Sequence, residues 1–150
     1  STELFALLSA LAGIPITQGI AVTGSVSQKG EIQAVGGVTR KVEAFFDICK
    51  HKGLNGHQGV IIPEKNVRNL MLKQEGIDSV KEGQSHIWPI STVEQGIEIL
   101  TGMEAGECQP DGTYPEATLF SKVDERFLEI AEIVKKFAKE EEEEGGPKAR

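Results

Sequence analysis

Lys41 is the residue whose place in the sequence most clearly indicates chemistry. It follows Gly36-Gly37 and lies in the first turn of a predicted helix whose apolar stripe holds Val42, Phe45, Phe46 and Cys49. At about 100° per residue, Lys41 projects with Phe45 and Ile48, so we expect it to be at least partly buried. Burial and the positive end of the helix dipole both disfavour an ammonium. The sequence thus indicates a candidate neutral amine, which is a possible general base.

A structural role for Lys41 is the alternative. A lysine at the edge of an apolar stripe can cover the core with its methylene groups while its ammonium stays in water. Periodicity alone leaves both interpretations open.

The residues before Lys41 predict a helix and a hairpin. The segment from Thr2 to Ala12 has leucines at helical spacing and ends at Gly13, which predicts a helix that buries Leu4, Leu7, Leu8 and Leu11. A buried strand is expected from Gly19 to Val26. A polar turn then leads to a returning strand from Glu31 to Val35.

Helices and strands are expected to alternate after the hairpin. The Lys41 helix is predicted from Val38 to about His51, and a buried strand from Gly59 to Ile62. A helix is expected from Glu64 to Gln74, with Val67, Leu70 and Met71 facing inward, and a strand from His86 to Ile90. Ser91 and Glu94 form the predicted capping box of a helix that ends at Gly102. This alternation predicts an α/β fold with parallel strands.

The C-terminal third is expected to contain a linker, a helix and a tail. Residues 103–119 carry glycine, proline and acidic residues without periodicity, which predicts a loop. Residues 120–139 form a predicted helix with an apolar seam of Val123, Phe127, Ile130, Val134 and Phe137. This seam packs on the domain itself or on a partner subunit, and the sequence does not choose between them. The acidic segment 140–150 is expected to be a solvated, disordered end.

Composition excludes several classes of function. The chain has 150 residues and a formal net charge of −7, which argues against nucleic-acid binding through phosphate neutralisation. It has no apolar stretch long enough to span a membrane. The spacing of Cys49, His51, His57 and His86 matches no zinc pattern, so no metal site is expected. Without a GxxxxGK loop we expect no cofactor in this domain, and any ATP and Mg²⁺ would bind on a separate domain.

Four short motifs occur in an order that resembles a known family. Thr23-Gly24, Gly30-Glu31-Ile32, Gly36-Gly37 and Lys41 together resemble the proteolytic domain of the Lon protease family, in particular its Lon-related bacterial and archaeal branches. The resemblance covers roughly residues 1–102, which would form the domain. It implies the α/β fold of the Lon proteolytic domain, similar to the second domain of ribosomal protein S5.

The resemblance also implies an activity. Lys41 matches the lysine of a Ser-Lys dyad, and Thr23 matches a threonine near that lysine, where its hydroxyl would hold the amine. The implied protein is a serine endopeptidase, ATP-dependent or Lon-like, that hydrolyses unfolded or damaged proteins. It would be cytoplasmic and assembled as a ring, usually a hexamer.

The nucleophile implied by the family lies outside the chain. In the family it belongs to a segment of the GDSAS type, which aligns about two positions upstream of Ser1. Ser1 itself falls within the first turn of the helix and is not the expected nucleophile. We therefore expect residues 1–150 alone to have no peptidase activity.

Two alternatives to a peptidase stay open. Lon-like domains without the dyad serve as assembly or scaffold domains of ATPases. A third interpretation is an interaction fragment that joins a ring through the seam from Val123 to Phe137.

Overall fold

The computed structural model describes residues 1–144, and residues 145–150 lie outside the described part. The helices are α1 (Thr2–Ala12), α2 (Val38–Lys52), α3 (Gln74–Lys81), α4 (Val93–Thr101) and α5 (Leu119–Glu144). The strands are β1 (Ile20–Val22), β2 (Ser25–Val26), β3 (Ile32–Gln33), β4 (Gly59–Pro63) and β5 (His86–Ile90). The molecule is therefore a mixed α/β protein, as predicted.

A three-stranded parallel sheet forms the centre of the fold. Its strand order is β1-β4-β5, with Ile20 opposite Gly59 and Gly59 opposite His86. Every residue of β4 is buried, as expected for a central parallel strand that is covered on both faces. Pro89 lies in β5 at the edge of the sheet, where a missing backbone N–H is tolerated.

The two faces of β4 contribute to two different hydrophobic cores. Val60 and Ile62 pack with Val38 and Val42 of α2. Ile61 points the other way, into a larger cluster built from α1, α4 and the start of α5, which includes Phe5, Ile97, Leu100 and Leu119. Gly96 lets α4 approach α1 closely, since a Cβ there would lie 2.4 Å from Phe5 Cζ. The sheet thus lies between α2 on one face and α1, α4 and the start of α5 on the other.

The strand predicted from Gly19 to Val26 is divided in two. β1 ends at Val22, although Thr23 N still donates to Ile61 O at 3.0 Å. The chain then turns at Gly24, which is packed closely by Ser1, Ile32 and Pro63. β2 continues in a separate antiparallel pair with β3, with Val26 opposite Ile32. The hairpin is confirmed, but its returning strand is shorter than predicted.

The prediction of a continuous helix from Glu64 to Gln74 is wrong. A short 3₁₀ helix covers Glu64–Asn69, and α3 follows only after an extended segment. Met71 is 82% exposed and Val67 is also exposed, whereas Leu70 packs against the smaller core. Hydrogen bonds to α2 explain the extended segment, because Thr39 Oγ1 accepts from Met71 N at 3.3 Å and Glu43 Oε1 accepts from Lys73 N at 3.0 Å.

Two other local predictions need correction. In α1, Leu7 is exposed, and Phe5 is the fully buried side chain instead. The capping box of α4 is formed by Thr92 and Gln95, one residue later than predicted, and the helix ends at Gly102 as expected.

The C-terminal part begins with a loop that packs on the body of the domain. Ala105, Gly106 and Thr118 are buried, and Leu119 N donates to Glu104 O at 2.9 Å. α5 then runs to Glu144, so the first residues of the predicted disordered tail are helical, while its last residues lie outside the described part. Among the described residues, no helix is long and apolar enough to cross a membrane.

Candidate active site

The Gly36-Gly37 turn places Lys41 at the start of α2. Gly37 adopts a left-handed conformation with φ of 70°, which a glycine accepts without strain. Lys41 N donates to Gly37 O at 3.2 Å, a bond of the first helical turn. Lys41 is exposed, so the prediction of partial burial is wrong. It lies with exposed Ile48 at the edge of the face that α2 presents to β4, while Val42 and Cys49 occupy the buried centre.

The Lys41 amine nevertheless has a defined partner. Its Nζ donates to Thr23 Oγ1 at 3.1 Å. Thr23 is buried directly after β1, at the carboxyl end of the parallel sheet. A hydroxyl can accept a hydrogen bond from an ammonium or donate one to a neutral amine, so this contact suits either state of the lysine. The structure therefore brings together the two residues that the sequence singled out.

The amino end of α1 is attached beside this pair. The amino group and the Oγ of Ser1 both donate to Gly24 O, at 3.2 and 3.0 Å. Thr2 Oγ1 donates to Val22 O at 3.4 Å. The two acceptors, Val22 and Gly24, are the residues directly before and after Thr23. The start of α1, with its free backbone N–H groups, thus lies against the segment that holds the Lys41 amine.

Asn66 is a residue of this region that sequence reasoning missed. Its Oδ1 accepts from Val35 N at 3.0 Å, and its Nδ2 donates to Val35 O at 3.0 Å. The side chain therefore pairs with the backbone as a neighbouring strand would, just before the Gly36-Gly37 turn. No periodicity marks such a residue, because its role depends on the position of the 3₁₀ helix relative to β3.

Other titratable side chains form contacts that do not include Lys41. The ion pairs Lys50–Glu75 and Arg126–Glu129 do not involve Lys41. Burial raises the pKa of the Cys49 thiol, an effect that nearby Lys52 partly opposes. His86 Nε2 is paired with Gly56 O at 2.7 Å. The described residues contain no group of three or more His, Cys, Asp or Glu side chains placed to hold a metal ion.

Comparison with protein families gives the same assignment as the motifs. The sequence model of the Lon protease C-terminal proteolytic domain matches residues 2–101. The chain belongs to this family. The matched segment contains the whole parallel sheet, the hairpin and α1 to α4, and it contains both Thr23 and Lys41.

Individual members of the family are similar over different lengths. A Lon protease homolog of Escherichia coli is 43% identical over 131 residues, which is 87% of this chain and 21% of the relative. A homolog of Haemophilus influenzae is 40% identical over 121 residues, or 81% of the chain and 20% of the relative. The archaeal Lon protease of Archaeoglobus fulgidus is 39% identical over 93 residues, or 62% of the chain and 13% of the relative. The chain thus spans about a fifth or less of the length of these relatives.

Proposed function

We propose that this chain is part of the serine endopeptidase domain of a Lon-type protease, with Lys41 as general base and a nucleophilic serine upstream of Ser1. One observation carries the proposal: the Lys41–Thr23 pair and the amino end of α1 converge at the carboxyl end of β1. Membership of the Lon proteolytic domain family supports the same reaction class.

The position of Ser1 makes the upstream serine geometrically reasonable. Ser1 N is 3.2 Å from the carbonyl oxygen of Gly24, which is the neighbour of Thr23. Two residues span at most about 7 Å of extended chain. A serine two positions before Ser1 therefore stays within a short distance of Thr23 and of the amine that Thr23 holds.

The reaction follows from these positions. Lys41 Nζ, as a neutral amine, takes the proton of the serine hydroxyl as the serine oxygen attacks the peptide carbonyl. Free N–H groups at the start of α1 stabilise the oxyanion of the tetrahedral intermediate. Nζ then gives the proton to the leaving amine. A water molecule, deprotonated by the same amine, hydrolyses the acyl-enzyme and releases the serine.

The remaining features of the proposal concern the longer protein. They are a fold similar to the second domain of ribosomal protein S5, a hexameric ring, unfolded or damaged proteins as substrates, and a cytoplasmic location. ATP and Mg²⁺, if used, bind on a separate domain. The similarity to Lon proteases and Lon protease homologs supports a protease as the longer protein.

Hydrolysis of an unfolded protein tests the proposal. The longer chain, which includes the segment before Ser1, should be active, while residues 1–150 alone should be inactive because they lack the nucleophile. Lys41→Ala in the longer chain should lower kcat by about a thousandfold or more. An exposed lysine outside this site, Lys81, provides the control, and Lys81→Ala should leave kcat unchanged. An active longer chain that tolerates Lys41→Ala would reject the proposed base, and an inactive longer chain would favour an assembly role.

A further inference from the structure

Gly24 lacks a side chain at a point where three other residues meet. A Cβ atom added to Gly24 would lie 3.3 Å from Ser1 Oγ, 3.4 Å from Ile32 Cγ2 and 3.4 Å from Pro63 Cγ. The φ angle of Gly24 is not positive, so a left-handed backbone does not explain the glycine here. The feature of glycine that this position uses is therefore its small size.

The three neighbours of Gly24 differ in how freely they can move. Ile32 is 3% exposed, and Pro63 is fully buried at the end of β4. Both are held by close packing in the interior of the domain. Ser1 is only partly buried and lies at the start of α1. An added methyl group would therefore displace Ser1, by a few tenths of an ångström, more readily than the two buried residues.

Gly24 also connects two segments of the proposed active site. Its carbonyl oxygen accepts from Ser1 N at 3.2 Å and from Ser1 Oγ at 3.0 Å. In the longer chain Ser1 N is a backbone amide, which can donate the same hydrogen bond. The preceding residue, Thr23, is fixed separately, because its N–H donates to Ile61 O at 3.0 Å and its hydroxyl holds the Lys41 amine. The segment that leads to the proposed nucleophile thus meets the segment that holds the base at Gly24.

We propose that Gly24 is a positioning residue, whose missing side chain determines how closely the upstream serine approaches the Lys41 amine. The inference rests on the proposed peptidase function. A side chain at residue 24 would move Ser1, and with it the serine two positions earlier, away from Thr23 and Lys41. Proton transfer from the serine to the amine requires hydrogen-bond distance. A displacement of about 1 Å can lower a rate by about a hundredfold, so a smaller shift also has a measurable effect.

Gly24→Ala in the longer chain tests this role. We expect kcat to fall by about tenfold or more while KM changes little, because the approach of the reacting groups changes and the contacts with substrate do not. The rate at which a fluorophosphonate labels the upstream serine should fall by a similar factor. Gly76 of α3 is the matched control, because an added Cβ meets no atom within 4 Å and its φ is not positive either. Gly76→Ala should leave both rates unchanged.

A second substitution separates positioning from a general loss of structure. Ser1→Ala removes the Oγ atom that lies nearest to the added methyl group. The double variant Gly24→Ala/Ser1→Ala should therefore regain a kcat close to that of Ser1→Ala alone, whereas strain against Ile32 and Pro63 would not be relieved. A double variant as slow as Gly24→Ala, or a Gly24→Ala variant as fast as the unsubstituted chain, would overturn this inference and leave the proposed peptidase function intact. An inactive unsubstituted chain would overturn both.

Discussion

At the scale of single residues, the contact between Lys41 Nζ and Thr23 Oγ1 is the feature on which the proposed chemistry depends. Both partners could be singled out from the sequence, Lys41 from the glycine turn, the helical pattern and the family resemblance, and Thr23 from the family resemblance alone. The exposure of Lys41 could not be predicted from the sequence. The rotation of 100° per residue in a helix places Lys41 with Phe45 and Ile48, but it does not reveal that this side of α2 lies at the edge of the sheet.

Thr23→Val tests the role of the hydroxyl at nearly constant volume. Because the 3.1 Å hydrogen bond to the amine is lost, we expect kcat of the longer, active chain to fall by about tenfold or more. The free energy of unfolding should change much less than kcat. Thr23→Ser keeps the hydroxyl and should retain most of the activity. Equal activity of the valine and serine variants would show that the hydroxyl does not hold the base.

Cys49 gives a prediction on pH. Burial raises its pKa above the ordinary value of 9.0, so above that pH the unfolded chain releases this proton more readily than the folded chain. The free energy of unfolding should therefore fall between about pH 8 and pH 10. Urea unfolding of Cys49→Ala at the same pH values supplies the control, because this variant should lose less stability over that range. An identical decrease in both proteins would contradict the prediction.

At the scale of secondary-structure elements, the sequence-based predictions failed where hydrogen bonds between distant segments determine the local structure. α2 could be predicted because its buried face has a regular period, and β4 because it is a short continuous apolar run that ends at a proline. The helix predicted from Glu64 failed because the N–H groups of Met71 and Lys73 bond to side chains of α2. The predicted strand from Gly19 was divided because Gly24 turns where the amino end of α1 contacts it. Neither contact leaves a pattern in the local sequence.

Asn66 provides the test at this scale. Asn66→Ala removes both hydrogen bonds to Val35, so we expect the free energy of unfolding to fall by about 1–3 kcal/mol. In the longer chain kcat should fall while KM changes little, because the turn before α2 no longer fixes Lys41. Asn69, exposed on the same short helix, is the matched control. If Asn69→Ala had the same effects, the Asn66 contacts would not be the cause.

At the scale of the whole molecule, the described chain holds one side of the proposed active site and a helix that extends beyond it. The α/β class and the family could be predicted from the sequence, since motifs and periodicity extend over residues 1–102. The extension of α5 to Glu144 could not be predicted from the sequence, because the acidic run after Lys139 has the composition of a solvated tail.

Labelling of the longer chain with a fluorophosphonate, followed by mass spectrometry of the modified peptide, tests the central claim most directly. This reagent reacts with a serine whose hydroxyl is activated by a base. The account predicts one labelled serine, about two positions before Ser1, and loss of labelling in Lys41→Ala. Labelling of Ser1 or of another serine, or labelling that persists in Lys41→Ala, would contradict the proposed Ser-Lys dyad.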